Sequence, residues 1–252
     1  MNCNEFSDRF VTLLNMHTNQ PIFGEEASIF DVTVDEYEKS LFLTRAEKKI
    51  ALDLYTGMNI QGISFEEKEQ VRESLDALVC TKEYTPNDKV VESEAFKHVY
   101  AQGKETIAFS LPGDLMSVIF EEVKFSSYIS GCKDEKTAVV VPATHDDIWH
   151  RLQNPFRGPS KDRVLRLNIA NNLVELISDH PVGSYILRYL REPQPIILTD
   201  LPDGLTIDGK SSQTECELPP MLHEAILELA VKLALQSKMI GRVEPKKEKQ
   251  QD

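Results

Sequence analysis

The sequence predicts an α+β fold, with a helical N-terminal part, a central antiparallel β-sheet and a long C-terminal helix packed on it. Three observations carry this. The first ~80 residues hold repeated helix-start signatures with apolar side chains at helical spacing. From residue 106 the pattern turns to short runs rich in β-branched and aromatic residues. A long stretch of helical spacing then follows Pro219 and Pro220. The expected division is a helical region at 1–85, a linker at 86–105, an α+β domain at 106–240 and a flexible charged tail at 241–252.

Taken in order, residues 4–16 suit a short amphipathic helix with Phe6, Phe10, Leu13 and Leu14 on one face. Pro21 and Gly24 mark a loop. Thr33 with Glu36, Thr44 with Glu47 and Ser64 with Glu67 each match a capping box, in which the two side chains satisfy each other's free backbone donors. Gly57 is a natural helix stop. The polar stretch 81–105 reads as a connection, with room for a short helix near 92–100.

Strands are expected at 106–111, 115–125, 137–141, 163–169 and 185–191. Asn171-Asn172 offers a tight turn from 163–169 into 173–177, an antiparallel hairpin. Between strands, Thr144 can cap a helix that Asp146 and Asp147 favour through the helix dipole, and Pro155 stops it. Pro193 and Pro195 impose extended backbone, which either ends a strand or makes an edge contact. A hairpin through Gly204 and Gly209 and a polar loop lead to the last helix. There Leu222, Ile226, Leu229 and Leu233 recur at four, three and four residues, and further apolar residues widen the stripe. A helix apolar over most of its circumference needs cover on more than one side. These four leucine and isoleucine residues are therefore expected to be buried in the protomer, with the helix either central to its own domain or packed by one side on a neighbouring subunit. Arg157, Arg188 and Arg191 are the other candidate interface residues. Arg188 and Arg191 either pair with acidic residues of a neighbour or sit on a solvated strand face. Arg157 lies in an NPFRGP segment that reads as an inter-subunit loop or as an ordinary turn anchored by Phe156.

Composition narrows the function. A net charge of −13 over 252 residues opposes a protein that grips nucleic acid by its phosphates, and opposes docking on an anionic membrane. Cys3, Cys80, Cys132 and Cys216 are scattered without a CxxC pair, which suggests neither a zinc site nor a disulfide framework. His145 and His150 stand five apart, off one helical face, and so depart from the i,i+4 pair that zinc proteases use. No P-loop, GxGxxG, GxSxG or HExxH string occurs. No catalytic, cofactor-binding or metal-binding residues are assigned, and no apolar run has transmembrane length.

Three blocks carry a resemblance. They are EYEKSLFLTRAEKKIALDLY at 36–55; PATHDDIWHRLQNPFRGP at 142–159 with RVLRL at 163–167; and SYILRYLREPQPIILTDL at 184–201 with LTIDG at 205–209 and TECELPPMLHEAILELAVKLA at 214–234. In this order and combination they resemble the ring, or head–tail adaptor, proteins of crAss-like tailed bacteriophages. The resemblance implies a non-enzymatic virion protein made in the bacterial host's cytoplasm. It implies a ring of about twelve copies in the neck below the portal, in contact with the portal and other neck rings. DNA would pass through without sequence-specific binding. A scaffold or internal virion protein that leaves the neck is the alternative.

Overall fold

The computed structural model describes residues 1–18, 34–58, 69–90, 104–126, 136–170, 172–202 and 204–240. The expected box at Ser64–Glu67, the helix near 92–100 and the tail at 241–252 lie outside these residues, as does Thr33. Two compact units form, Met1–Leu78 with Pro193–Asp252 and Val79–Glu192.

The first unit is helical. Helix α1 (Cys3–Thr18) buries Phe6, Phe10 and Leu14, with Leu13 at the margin. Helix α2 (Glu36–Thr56) starts at Asp35, whose carboxylate accepts the Glu38 N–H at 2.7 Å, and ends at Gly57. At φ 75° that glycine takes the left-handed conformation a helix stop demands. The expected start at Thr44 is corrected, because α2 runs through Thr44 and Glu47 without a break. Helix α3 (Glu69–Leu75) follows. After an irregular segment, a 3-10 turn at Pro220–Leu222 leads into helix α5 (His223–Ile240). The mixed α+β class, the helical N-terminal part and the C-terminal helix are all present. Within this unit α5 packs on α2 and α1.

The second unit holds a seven-stranded sheet of β1 (Val79–Tyr84), β2 (Glu105–Ser110), β3 (Leu115–Phe125), β4 (Thr137–Ala143), β5 (Arg163–Ala170), β6 (Leu173–Ser178) and β7 (Val182–Arg191). The order is β1-β7-β3-β4-β5-β6-β2. All neighbours are antiparallel except β4 and β5. That exception corrects the antiparallel expectation. Residues 144–162 form a crossover containing helix α4 (Ile148–Gln153), and a crossover is what returns a chain parallel to itself. Ile148 of α4 packs on Leu165, Leu167 and Ile177. Asp147, not Thr144, precedes this helix as its cap residue, while the Thr144 carbonyl accepts the Asp147 and Ile148 N–H groups. The β5–β6 hairpin turns through Asn172 at φ 56°, as its sequence suggested.

The sheet curls on itself. Tyr84 of one edge strand and Phe109 of the other lie 5.3 Å apart between ring centroids, and Tyr185 of β7 stacks on both. A shared core of Val123, Val140, Val164, Leu176 and Leu187 fills the concave face. Two boundaries move in consequence. The expected helical region 1–85 stops at Leu78, because Val79–Tyr84 pairs with β7, and the expected domain 106–240 divides after Glu192.

Candidate functional site

Ser40, Thr44 and Glu47 stand at i, i+4 and i+7 on α2, so they share one face. Against that face lies an extended strap, Pro193–Leu198, whose prolines keep it out of a helix. The strap has no regular ladder, so side chains satisfy it. Leu198 N–H donates to Ser40 Oγ at 3.0 Å and Ile196 N–H to Thr44 Oγ1 at 3.1 Å. Glu47 Oε1 accepts from Cys216 Sγ at 3.2 Å and Glu217 N–H at 3.3 Å, and the Glu217 carboxylate accepts the Gln194 N–H. The Thr44–Glu47 pair that mimicked a capping box therefore does the same chemistry on a different backbone. Farther along, Asp208 and Gly209 both have positive φ and close a tight turn bridged by Ile207 and Lys210.

Glu47 is fully buried, and Oε2 has no partner among the described residues. Burial pushes its carboxyl up to about 7, against the pull of its Cys216 and Glu217 donors. The Cys216 thiol is pushed up as well, first by burial and then by the adjacent Glu47. A thiol held protonated is a poor nucleophile.

The second polar cluster sits on the concave face of the sheet. Arg166 Nη1 of β5 lies 2.8 Å from Glu121 Oε1 of β3, with 11% and 5% of the two side chains exposed. Tyr185 donates its O–H to the same oxygen. Burial, then the Glu121 charge, push that phenol up, so it stays neutral. Beside the pair the sheet opens. β3 and β4 pair only at Glu122–Val139, Val123–Ala138 and Lys124–Thr137, then diverge around a cleft of about 340 Å³. Glu121 and Arg166 themselves line it, together with apolar side chains that include Val118, Phe120, Val139 and Pro142. A cleft of about 450 Å³ between β2 and the start of β7 has Lys89 and Glu105 as its charged lining residues. Neither cleft brings together a nucleophile and a base. Among the described residues no group of three or more His, Cys, Asp or Glu side chains could hold a metal, and no helix is long and apolar enough to cross a membrane.

Of the predicted helix residues, Ile226 is buried, whereas Leu222, Leu229 and Leu233 are half-buried. The buried stripe is instead His223, Ile226, Leu227, Ala230, Val231 and Ala234, rotated from the expected one. Leu222 belongs to the 3-10 turn ahead of the helix. Ala230 and Ala234 on α5 and Ala46 and Ala51 on α2 are all fully buried, and the two helices pack on each other. Arg188 is exposed on β7 opposite Thr81 and Phe120. Arg191, three residues on, points to the other face and donates to the Glu192 carbonyl. Arg157 is exposed in the connection between α4 and β5. The three arginines thus do not form one cluster on a strand face. His145 and His150 are both exposed, with His145 Nε2 2.8 Å from the Asn168 carbonyl. The buried trio Glu121, Arg166 and Tyr185 had no local signal, because its members come from three strands 19 or more residues apart.

Comparison with known proteins gives a consistent result. A family model described as phage tail ring protein 3/4 matches residues 1–246. The chain is 46% identical over 235 residues to "Ring protein 3" of Bacteroides phage crAss001, covering 93% of this chain and 95% of that protein. It is 30% identical over 243 residues to "Ring protein 4/5" of the same phage, covering 93% and 92%.

Proposed function

Since this chain belongs to the phage tail ring protein 3/4 family, we propose that it is a structural ring subunit of the phage neck. It joins head to tail below the portal and surrounds the path of the DNA. The single observation that carries this reading is the family match over nearly the whole chain. In this reading the subunit assembles with about twelve copies of itself, as portal-associated rings imply. It contacts the portal and further neck rings, belongs to the virion and works without catalysis.

Two features support it. The two buried polar clusters make contacts within the fold: Ser40, Thr44 and Glu47 hold a strap, and Arg166 pairs with Glu121. The net charge of −13 repels phosphates, so duplex DNA in a lumen would slide without being held.

Reconstruction of the neck of mature virions, with this chain fitted to density, is the test. Density for a ring of this fold next to the portal is the expected result. Its absence from the neck, together with absence of the protein from purified particles, would return the scaffold alternative.

A further inference from the structure

We propose that the loop between α4 and β5, tipped by Phe156, is the knob by which one copy of this chain grips the acidic helical unit of the next copy. The proposal rests on the ring reading and adds the residues that make the contact.

Phe156 is 85% exposed, and Trp149 on the adjoining helix is 47% exposed. An exposed phenyl ring on a loose loop would carry little meaning, but this loop is braced. Asn154 Oδ1 accepts the Phe156 N–H at 2.9 Å, and the Asn154 carbonyl accepts the N–H groups of Arg157 and Gly158 at 3.1 and 2.8 Å. Arg163 of β5 donates Nη1 to the Phe156 carbonyl at 2.5 Å. Gly158 fits so closely that a Cβ there would stand 3.1 Å from the Arg151 and Asn154 carbonyl oxygens. The ring is thus presented on a pre-organised support, which lowers the ordering cost of binding. Rigid, central aromatic side chains are the type that dominates interface energetics.

Charge selects the partner. The sheet unit, 79–192, carries 14 Lys and Arg against 16 Asp and Glu, a net −2, which leaves −11 for the helical unit. The knob region runs against that balance. Across 146–163 there are four cations against three anions, Asp146, Asp147 and Asp162, and Asp162 pairs with Lys136. Arg151 pairs with Asp147, which Arg157 also stabilises electrostatically, while Arg157 and Lys161 are exposed within five residues of Phe156 along the chain. A basic aromatic knob on a near-neutral unit complements an acidic unit that every copy also carries. On that unit, Glu69, Glu73 and Asp76 are exposed on α3 and the turn after it. Ser74, next to Glu73 in the chain but buried on another side of the helix, hydrogen-bonds the sulfur of Met221, which is 74% exposed. An exposed thioether on an acidic unit suits a phenyl ring followed by an arginine. Knob and receiving surface lie on different units, so the contact is heterologous, the type that propagates around a ring.

The test uses the purified full chain, with oligomer size read by mass photometry and folding by thermal melt. The parent chain should assemble. Phe156→Asp should keep the parental melt and weaken self-association at least ~30-fold, the size of an interface hot spot. Met221→Asp should do the same from the receiving side. Mixed one to one, these two monomeric variants should form a dimer that grows no further, because one intact knob still meets one intact receiving surface. Arg157→Glu should weaken assembly, and a second change, Glu73→Arg, should restore it. Rings of parental size from Phe156→Asp would overturn this proposal and leave the ring reading standing. A parent chain that stays monomeric with and without its portal would overturn both. If Phe156→Asp and Arg157→Glu assemble normally but lose salt-sensitive binding to duplex DNA, the loop is a nucleic-acid contact and the proposal fails.

Discussion

The helical unit and the sheet unit solve the same problem, satisfying buried backbone, by different means. In the sheet unit, strands satisfy one another through ladders, and polar side chains are a small minority of the interior. In the helical unit the buried strap Pro193–Leu198 has only an isolated bridge, Ile197 to Thr214, and takes other partners from side chains, Ser40 and Thr44 of α2 together with Thr214 and Glu217. The lesson is that removing one side chain should be felt differently in the two. A helix face that stands in for a strand depends on single hydroxyls and carboxylates, whereas a ladder is redundant except where it buries a charge.

The largest expected effect lies at that exception. Arg166→Met leaves Glu121 buried and unpaired, and should cost about 3–5 kcal/mol in urea unfolding. Replacing Glu121 by Leu in the same chain should recover most of the loss. If Arg166→Met unfolds like the parent, the pair is solvated and the contrast between the units weakens.

Ile226→Asp tests the core of the helical unit. Ile226 is fully buried, so the substitution should cost about 3 kcal/mol. A parental melting curve would place this residue on a surface.

Glu47 gives the helical unit a pH dependence. Its carboxyl keeps its proton to about pH 7 in the fold, while the unfolded chain releases it near the ordinary glutamate value of 4.5. The folded state therefore binds the extra proton between those values. Its stabilising contribution is full below pH 4.5 and is lost as pH rises through about 7. Glu47→Gln should remove this slope, on the order of 3 kcal/mol across the interval, relative to the parent. Equal pH slopes for variant and parent would show that the carboxyl titrates normally.

Thr44→Val is the smallest of these changes and the sharpest probe of the strap. It leaves the buried Ile196 N–H without its acceptor, at a cost of about 2 kcal/mol. Hydrogen exchange at Ile196 should speed up while amides of β5 and β6 stay protected. Uniform acceleration across both units would contradict the separate footing of the strap.

The contrast also explains what could be read before folding. The α2 stop at Gly57, the hairpin turn at Asn172 and the end of β7 ahead of Pro193 are local events. Each is set by the sterics of one or two residues, so their positions were legible. The α5 stripe was misjudged by a small rotation, because spacing reveals an apolar arc but not which part of it a neighbouring helix covers. Thr44 and Glu47 showed their hydrogen-bonding capacity but not its recipient, since a capping signature does not name the backbone that will donate.

Amino-acid order alone therefore set the elements, most of their ends, the acidic character and the family likeness. Those properties follow from chemistry within a few residues or from recurrent strings. Folding in three dimensions chose the rest: the pairing of Val79–Tyr84 with β7, the parallel β4–β5 contact, the meeting of Tyr84 with Phe109, and the burial of Glu121 with Arg166. Each joins segments far apart along the chain, and such partners are selected by competition among all surfaces that can be buried, which no local pattern records.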